Sequence, residues 1–315
     1  MISEGSKILV TGGSGYIGNN LIRRLSEKNC DIVSISNKKI PNICPNPNVT
    51  NFLCDLEDFN SLSKVIENTN FDYVYHLAAK SNANPLDHDY SRAIKFNVNS
   101  TVNVLENIRH KKVKKFFFTS SSSVYDDNKS NLFEETMLLN PNNAYGVSKL
   151  CCEKIIYSYA KNYNIPSIAL RLGSVFGKND SNHLHLIPSI MASLQSSKIF
   201  LLKSDPSKII DLVYVEHLCD FMLDVGNLSK CKTFNAINFS SYQTSINEII
   251  NLLENLFKKK LIFEIKKEKN TNRNGLMSLS LMEKTYSNYI TPSLNSAIEN
   301  TYHSFIRSNS SLWKS

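Results

Sequence analysis

No stretch of the 315 residues is apolar for long enough to span a bilayer, and the amino terminus lacks a hydrophobic signal core. The chain therefore reads as cytoplasmic, with no membrane partner. No two of its seven cysteines (Cys30, Cys44, Cys54, Cys151, Cys152, Cys219 and Cys231) have C-x-x-C spacing. An odd number without metal spacing argues against a disulfide framework and for reduced, mostly buried thiols. Cys151 and Cys152 stand together on a helix pattern, as packing residues. There is no internal repeat and no low-complexity linker. The net charge of +8 comes largely from lysines at 111–112, 114–115, 258–260 and 266–267, with no aromatics interleaved. That is a solvated face rather than a nucleic-acid surface, although it suits a small anionic substrate.

What is present is globular. A hydrophobic fraction of 42% and a charged fraction of 20% exclude disorder. The length allows one large α/β domain or two interlocked ones. Strand-like runs at Lys7–Val10, Asp31–Ile35, Asn51–Cys54, Tyr73–Ala78, Lys115–Ser120 and Ser167–Leu170 alternate with helical patterns, notably Tyr90–His110 and Asn143–Tyr163. Such alternation predicts an α/β fold with a doubly wound parallel sheet, its ligand at the carboxyl ends of the strands. Beyond Arg171 the rhythm loosens into helices at Ile187–Ser196, Ser245–Phe257 and Leu294–Ile306, with strands at Ile209–Val215 and Thr233–Ile237. The expected organisation is a Rossmann domain over 1–172 plus about 209–237. A smaller interleaved substrate lobe takes about 173–208 and 238–315.

Thr11-Gly12-Gly13-Ser14-Gly15-Tyr16-Ile17-Gly18 joins the first strand to a helix pattern carrying Ile17, Leu21, Ile22 and Leu25 on one face. The glycine spacing alone marks a turn; the strand before it and the helix after it make it a dinucleotide site. Gly12 permits the sharp turn, Gly15 lets backbone approach a pyrophosphate, and Gly18 lets helix and strand pack closely.

Tyr145 and Lys149 are four apart, one helical turn, on a helix that follows the fifth strand. An ammonium beside a phenol favours phenolate, which brings the pKa toward the range of a general base. The fifth strand ends in Ser120-Ser121-Ser122-Ser123, where a hydroxyl can bond a reacting oxygen.

Together these residues resemble the extended short-chain dehydrogenase/reductase superfamily, in particular its NAD(P)-dependent nucleotide-sugar epimerase/dehydratase family. The resemblance covers nearly the whole chain. It includes Asp55, His76-Leu77-Ala78-Ala79, Phe96-Asn97-Val98-Asn99 and Leu170-Arg171-Leu172-Gly173-Ser174-Val175-Phe176-Gly177 in the family's order. It implies Ser121, Tyr145 and Lys149 as catalytic residues. Tyr145 exchanges a proton with a sugar hydroxyl, and Lys149 holds the ribose and lowers the tyrosine pKa. The implied NAD or NADP site comprises Gly12, Gly15, Tyr16, Ile17, Gly18, Ser36, Asn37, Lys38, Asp55, Leu56, Leu77, Ala78, Ala79, Lys80 and Asn97, with Tyr145 and Lys149. Asp55 is expected at the adenine. For His76 and Asn97 a structural role stands as the alternative, and His76 is given no catalytic role. A homodimer through the helices 90–110 and 143–163 is also implied.

The departures bear on substrate. Ser122-Ser123 replaces the Asp-Glu pair of the dehydratases, which argues against 4,6-dehydration. His185 resembles an acid of reductase-epimerases acting on GDP-sugars, but their cysteine is Ser123 here. Ser174 and Ile210 replace an asparagine and an arginine of the family, so either another residue, such as Lys203 or Arg273, substitutes at the diphosphate or the ligand is not a standard nucleotide sugar. Ser122, Ser123, Ser174, His185 and Ile210 are thus the substrate-site candidates. His183 and His185 form an H-x-H pair without further ligands, so no metal site is expected. At the end of the second strand, Ser36 stands where NAD-selective members carry a carboxylate, and Lys38-Lys39 follow, which leans the cofactor toward NADP. The expected function is redox chemistry at C4 of a nucleotide-diphosphate sugar, as an epimerase. The alternatives are a net 4-keto-sugar reductase or sugar dehydrogenase, and a non-catalytic dinucleotide sensor.

Overall fold

The computed structural model describes residues 2–38, 46–80, 89–126, 130–180, 182–224, 233–266, 275–285 and 291–310. In chain order, β1 (Lys7–Thr11), α1 (Tyr16–Ser26), β2 (Asp31–Ser36), β3 (Val49–Leu53), α2 (Phe59–Ile66) and β4 (Tyr73–His76) come first. α3 (Tyr90–Ala93) runs through a π-helical turn, Ile94–Val98, into α4 (Asn99–Ile108). β5 (Lys115–Ser121) and a 3-10 turn, Ser122–Val124, precede β6 (Leu132–Phe133), α5 (Ala144–Tyr163), β7 (Ser167–Leu172) and β8 (Ser174–Phe176). Next are α6 (Leu186–Ser196), β9 (Phe200–Leu202), β10 (Ile209–Tyr214), α7 (Val215–Asp224), β11 (Phe234–Phe239) and β12 (Tyr242–Ser245). α8 (Ile246–Phe257), β13 (Phe263–Ile265), β14 (Leu276–Met277), α9 (Ser280–Thr285) and α10 (Leu294–Ser310) follow.

The chain forms two compact units. The first comprises Met1–Asp126, Glu135–Leu172 and Cys219–Asn238; the second comprises Asp127–Glu134, Gly173–Leu218 and Phe239–Ser315.

The first unit holds a seven-stranded sheet in the order β11-β7-β5-β4-β1-β2-β3. Its pairings from β7 through β3 are parallel. From β1 the chain winds outward to β3, then returns to lay β4 on the other side of β1. The winding therefore reverses between β1 and β4, and the crevice at their carboxyl ends is where such folds take ligands. Helices cover both faces, so the central strands are apolar almost continuously, as in Phe116-Phe117-Phe118 of β5, all buried. Leu62 and Ile66 of α2, Val104, Leu105 and Ile108 of α4, and Cys152 and Ile156 of α5 pack with Leu9, Val74, Phe116 and Ala169 of the strands. Each Leu, Ile, Val or Phe side chain among these contributes about 1.5–3 kcal/mol by leaving water. Asp58 caps α2 through Ser61 N at 3.1 Å. Lys111 Nζ closes the other end of α2, donating to Ile66 O, Glu67 O and Thr69 O at 2.7, 2.7 and 2.8 Å.

The second unit holds a three-stranded sheet, β12-β10-β8, and two strand pairs, β13 with β9 and β14 with β6. Its core joins α6, α8 and α10 through Ile187, Ile190, Leu194, Ile249, Leu253 and Ile298.

Three features differ from the sequence reading. The predicted helix 90–110 is interrupted by the π turn at Ile94–Val98. The fourth strand stops at His76 instead of Ala78, which releases Leu77–Lys80 from the sheet. Strand β10, expected in the Rossmann domain, pairs antiparallel with β12 and parallel with β8 in the second unit. The described cysteines Cys30, Cys54, Cys151, Cys152 and Cys219 are all free, and all but Cys151 are buried; Cys44 and Cys231 lie outside the described residues. Among the described residues, no helix is long and apolar enough to cross a membrane.

Candidate active site

The turn from β1 to α1 is held by its own backbone. Gly12 N and Gly13 N both donate to Ile35 O, at 2.8 and 3.3 Å, and Gly15 N donates to Gly12 O at 2.9 Å. Gly12 has φ +75°, and a Cβ there would lie 2.7 Å from Ala78 N, so both conformation and space demand glycine. A Cβ on Gly18 would lie 2.2 Å from Gly12 O, which is the close helix–turn approach expected of that position. Gly13 has no such φ, but a Cβ there would lie 2.1 Å from Ser34 Oγ of β2, a side-chain atom. Gly15 differs: its φ of −75° is ordinary, and a Cβ would meet only Gly12 O, at 3.1 Å. Gly15 is the N-cap of α1, and no side chain caps this terminus. The first-turn N–H groups of a helix have no intrahelical acceptor, and together with the helix dipole they favour an anion.

A cleft of about 430 Å³ opens over this turn. Of the sequence-predicted cofactor residues, Gly12, Gly15, Ser36, Asn37, Lys38, Leu56, Leu77, Ala78, Ala79 and Lys80 line it. Tyr16, Ile17, Gly18, Asp55, Asn97, Tyr145 and Lys149 are not on its wall. Asp55 is exposed beside the cleft, its Oδ1 accepting from Glu57 N at 3.0 Å. Sequence reasoning left out Ser14, Ile35, Cys54, Arg92 and Phe96. Cys54 and Phe96 each precede a motif residue that was singled out, whereas nothing in the pattern marked Arg92. Among the described residues, the cleft wall carries Lys38, Lys80 and Arg92 and no carboxylate side chain. Lys80 Nζ stands 4.3 Å from the centroid of the Phe96 ring. Ser36 is buried and donates to Lys38 O at 2.7 Å, folding the end of β2 back on itself. Lys39 lies outside the described residues. An uncapped helix terminus, a glycine cradle that a Cβ would fill, and a cationic, partly apolar cleft fit a dinucleotide.

Beneath the cleft, the switch point is closed by neutral hydrogen bonds. His76 Nδ1 is 2.7 Å from Thr11 Oγ1, and Nε2 is 3.0 Å from Thr101 Oγ1. Thr101 donates to Asn97 O at 2.8 Å, so the consistent tautomer carries its proton on Nε2 and accepts from Thr11. Burial, and secondarily the Lys149 charge, push the His76 pKa down to about 3. Asn97, in the π turn, accepts from Lys80 N at 2.8 Å and donates to Ser148 Oγ at 2.9 Å. It thereby ties the cleft wall to α5.

Ser121 ends β5, and its Oγ accepts from Ser123 N and donates to Ser123 Oγ, both at 3.1 Å. Ser122 is buried beside it. Asn143 caps α5 by accepting from Gly146 N at 2.8 Å, which starts the helix at Ala144 and puts Tyr145 in its first turn. A Cβ on Gly146 would lie 2.2 Å from Ser123 O, so glycine here lets α5 seat directly on the serine turn. Lys149, only 1% exposed, donates to Thr119 O at 2.6 Å, with Nζ 5.6 Å from the Tyr145 ring centroid. Burial lowers its pKa to about 8, against the Cys152 and Glu153 groups that raise it. The expectation that Lys149 lowers the Tyr145 pKa is not what the free chain shows. Burial pushes the phenol above its usual value, and the lysine is engaged with a backbone carbonyl.

The remaining candidates fall in the second unit. Ser174 opens β8 and is exposed, and Ile210 lies in β10 opposite Thr244. His185 caps the start of α6 by position, its Nδ1 bonded to both oxygens of buried Asp180 at 3.0 and 2.9 Å. Lys203 is exposed, and Arg273 lies outside the described residues. Among the described residues no cluster of three potential metal ligands occurs.

Comparison with known proteins agrees with this geometry. A UDP-glucose 4-epimerase from Mycoplasma genitalium is 28% identical over 284 residues, covering 82% of this chain and 83% of its own. A dTDP-D-glucose 4,6-dehydratase from Dictyostelium discoideum is 28% identical over 274 residues; the match takes 76% of this chain but 62% of the relative's length. The crystal structure of UDP-glucuronic acid 4-epimerase from Bacillus cereus, with UDP-glucuronic acid and NAD, superposes with a TM-score of 0.85 at 26% identity. That superposition covers 96% of this chain and 99% of the other. The sequence pattern of the NAD-dependent epimerase/dehydratase family matches residues 8–236, which span the glycine turn, the serine turn and the Tyr145–Lys149 helix. By that match the chain belongs to the NAD-dependent epimerase/dehydratase family.

Proposed function

We propose that the chain is a nucleotide-sugar 4-epimerase in which Tyr145 moves the proton of the C4 hydroxyl. The observation that carries this reading is the seating of α5 on the serine turn through Gly146, which brings the elements bearing Ser121, Tyr145 and Lys149 together. Gly12, Gly15 and the start of α1 hold the pyrophosphate, and Leu77–Lys80 line the dinucleotide's path. The dinucleotide, when bound, supplies the acceptor and donor of hydride. Ser121 Oγ bonds the reacting oxygen and orients it toward Tyr145. Tyr145 takes the hydroxyl proton as the alcohol becomes a ketone and returns it when the other epimer forms. Lys149 supplies the counter-charge for the phenolate, and ammonium is available there up to about pH 8. Ser122 and Ser123 offer no acid–base pair for removing water, which argues against 4,6-dehydration.

A second reading, a net reductase using NADP(H), is favoured by one feature. Ser36 removes the usual carboxylate from the end of β2, and Lys38 and Arg92 line the same cleft. Incubation with UDP-, dTDP-, GDP- and CDP-sugars separates the two. An epimerase interconverts two sugars without net change at 340 nm, whereas a reductase consumes NADPH. Tyr145→Phe is expected to lower kcat by about 10²–10⁴-fold while NAD affinity stays within about threefold. Turnover equal to wild type would remove Tyr145 from the mechanism.

A further inference from the structure

We propose that the buried Glu153–Arg171 pair, closed by Ser120 and Tyr125, is the positioning device that sets Tyr145 and Lys149 against Ser121. The inference rests on the catalytic reading above and extends it to residues that touch neither cofactor nor substrate.

The pair joins the elements on which the proposed catalytic groups ride. Glu153 lies one turn beyond Lys149 on α5 and two turns beyond Tyr145. Ser120 directly precedes Ser121 on β5, and Arg171 of β7 is its register partner across the sheet. Glu153 Oε1 accepts from Ser120 Oγ at 2.5 Å and from Arg171 Nε at 3.1 Å, and Oε2 accepts from Arg171 Nη2 at 2.8 Å. Arg171 Nη1 donates to Tyr125 OH at 2.8 Å, and that hydroxyl donates to Asn238 Oδ1 of β11 at 2.7 Å. Arg171 Nη1 also reaches Glu135 O at 3.4 Å. Tyr125 follows the 3-10 turn that begins at Ser122 and closes it by donating its N–H to Ser122 O at 3.2 Å. One carboxylate and one guanidinium thus bind α5, β5, β7, β11 and the serine turn together.

The chemistry of the pair suits placement better than stability. Glu153 and Arg171 are 3% and 4% exposed, and burying both charges offsets most of their mutual attraction. Apolar side chains of the same volume hold such elements together equally well. They do so without direction, however, so a helix can settle along or about its axis. The bidentate fork fixes distance and angle at once, and every oxygen and nitrogen it buries is partnered. The fork also sits at the carboxyl ends of β5 and β7, beside the serine turn, rather than in the apolar middle of the sheet.

The test uses the full chain with NAD and follows UDP-glucose to UDP-galactose interconversion, with melting temperature and NAD affinity measured alongside. The double variant Glu153→Leu, Arg171→Met replaces the pair with apolar groups. It is expected to melt within about 5 °C of wild type, with NAD affinity and the sugar KM within about threefold, while kcat falls about 100-fold. Arg171→Lys keeps the charge but loses the fork, and is expected to lower kcat at least tenfold with KM unchanged. If the double variant does not fold, Ser120→Ala and Tyr125→Phe decide, since each removes one hydroxyl and leaves the Glu153–Arg171 pair itself in place. A fivefold or greater loss of kcat at constant KM and melting temperature supports the proposal. Wild-type kcat in the folded double variant, or in both single variants, overturns it. So does a loss in which kcat, KM, NAD affinity and melting temperature all decline together. Tyr145→Phe run beside them separates the two ideas. A fully active Tyr145→Phe removes the catalytic reading itself, whereas an inactive Tyr145→Phe with a fully active double variant removes only the positioning role.

Discussion

Substituting alanine for Gly12 and for Gly15 should produce opposite signatures, although the two residues are three apart in the same turn. At Gly12 the backbone has φ +75°, where a side chain costs about 1–2 kcal/mol. The new Cβ would also lie 2.7 Å from Ala78 N, a main-chain atom that must move, at about 1–3 kcal/mol. The combined cost is about 2–5 kcal/mol. With an unfolding entropy of about 2 cal/mol/K per residue, the melting temperature should drop by about 5 °C. At Gly15 φ is −75° and ψ 168°, and the only atom near a Cβ is Gly12 O at 3.1 Å. An alanine N-cap costs up to about 1 kcal/mol, and the stiffer unfolded chain returns about 0.4–1 kcal/mol. The melting temperature of Gly15→Ala without cofactor should therefore stay within about 2 °C of wild type. Gly15 nevertheless lines the cleft, so on the proposed reading its methyl group meets the approaching pyrophosphate. A loss of about 1.4 kcal/mol or more in NAD binding, tenfold in Kd, is expected. Thermal scanning of the cofactor-free chain and titration with NADH fluorescence measure the two quantities. Gly15→Ala with wild-type affinity would refute the placement of the phosphates. Gly15→Ala as unstable as Gly12→Ala would refute the steric argument.

Three further outcomes are expected. His76 and His217 are held neutral by burial, at about 3 and about 4, against about 6.5 when unfolded. The unfolded chain takes up their protons first, so this stability is complete above about pH 6.5 and is lost as pH falls toward those values. His76→Gln should shallow the fall of melting temperature between pH 6 and 4.5, and an unchanged slope would show that His76 carries none of it. Gly146→Ala puts a Cβ 2.2 Å from Ser123 O and should lift α5 off the serine turn. We expect kcat to fall about 100-fold with NAD affinity nearly constant, and an undiminished kcat would mean that this contact does not set the site. Ser36→Asp restores a carboxylate at the end of β2 and should weaken NADP at least tenfold relative to NAD. Comparing the two Kd values checks this, and an unaltered ratio would mean that Ser36 does not face the 2′ position.

The parallel sheet, the glycine turn and the Tyr145–Lys149 helix were legible because each is written locally, in apolar runs, glycine spacing and a one-turn interval. The interruption at Ile94–Val98 was not. The π turn lies inside an unbroken helical run with no breaker residue to mark it, and its Asn97 is engaged with Lys80 and Ser148, contacts that only the folded chain brings about. Arg92 was invisible for a related reason, since only the returning path of the chain from β3 to β4 and beyond brings it to the cleft. The direction of the Tyr145 shift also escaped local reading. Spacing showed that a lysine could stand one turn away, but not that a Thr119 carbonyl would engage it or that burial would dominate the phenol. Arg171 stands in the family-like run 170–177 without a role, and nothing in the sequence singles out Glu153; only folding shows that they bury against each other.

Among the described residues, the cleft over the glycine turn is lined by the first unit, while Ser174, His185 and Ile210 all belong to the second. On the reading proposed above, substitutions at Ser174, His185 or Ile210 are expected to alter the sugar KM while NAD affinity stays constant, because none of the three is on the cleft wall. The interleaved chain would thus assign the two affinities to separate stretches of sequence.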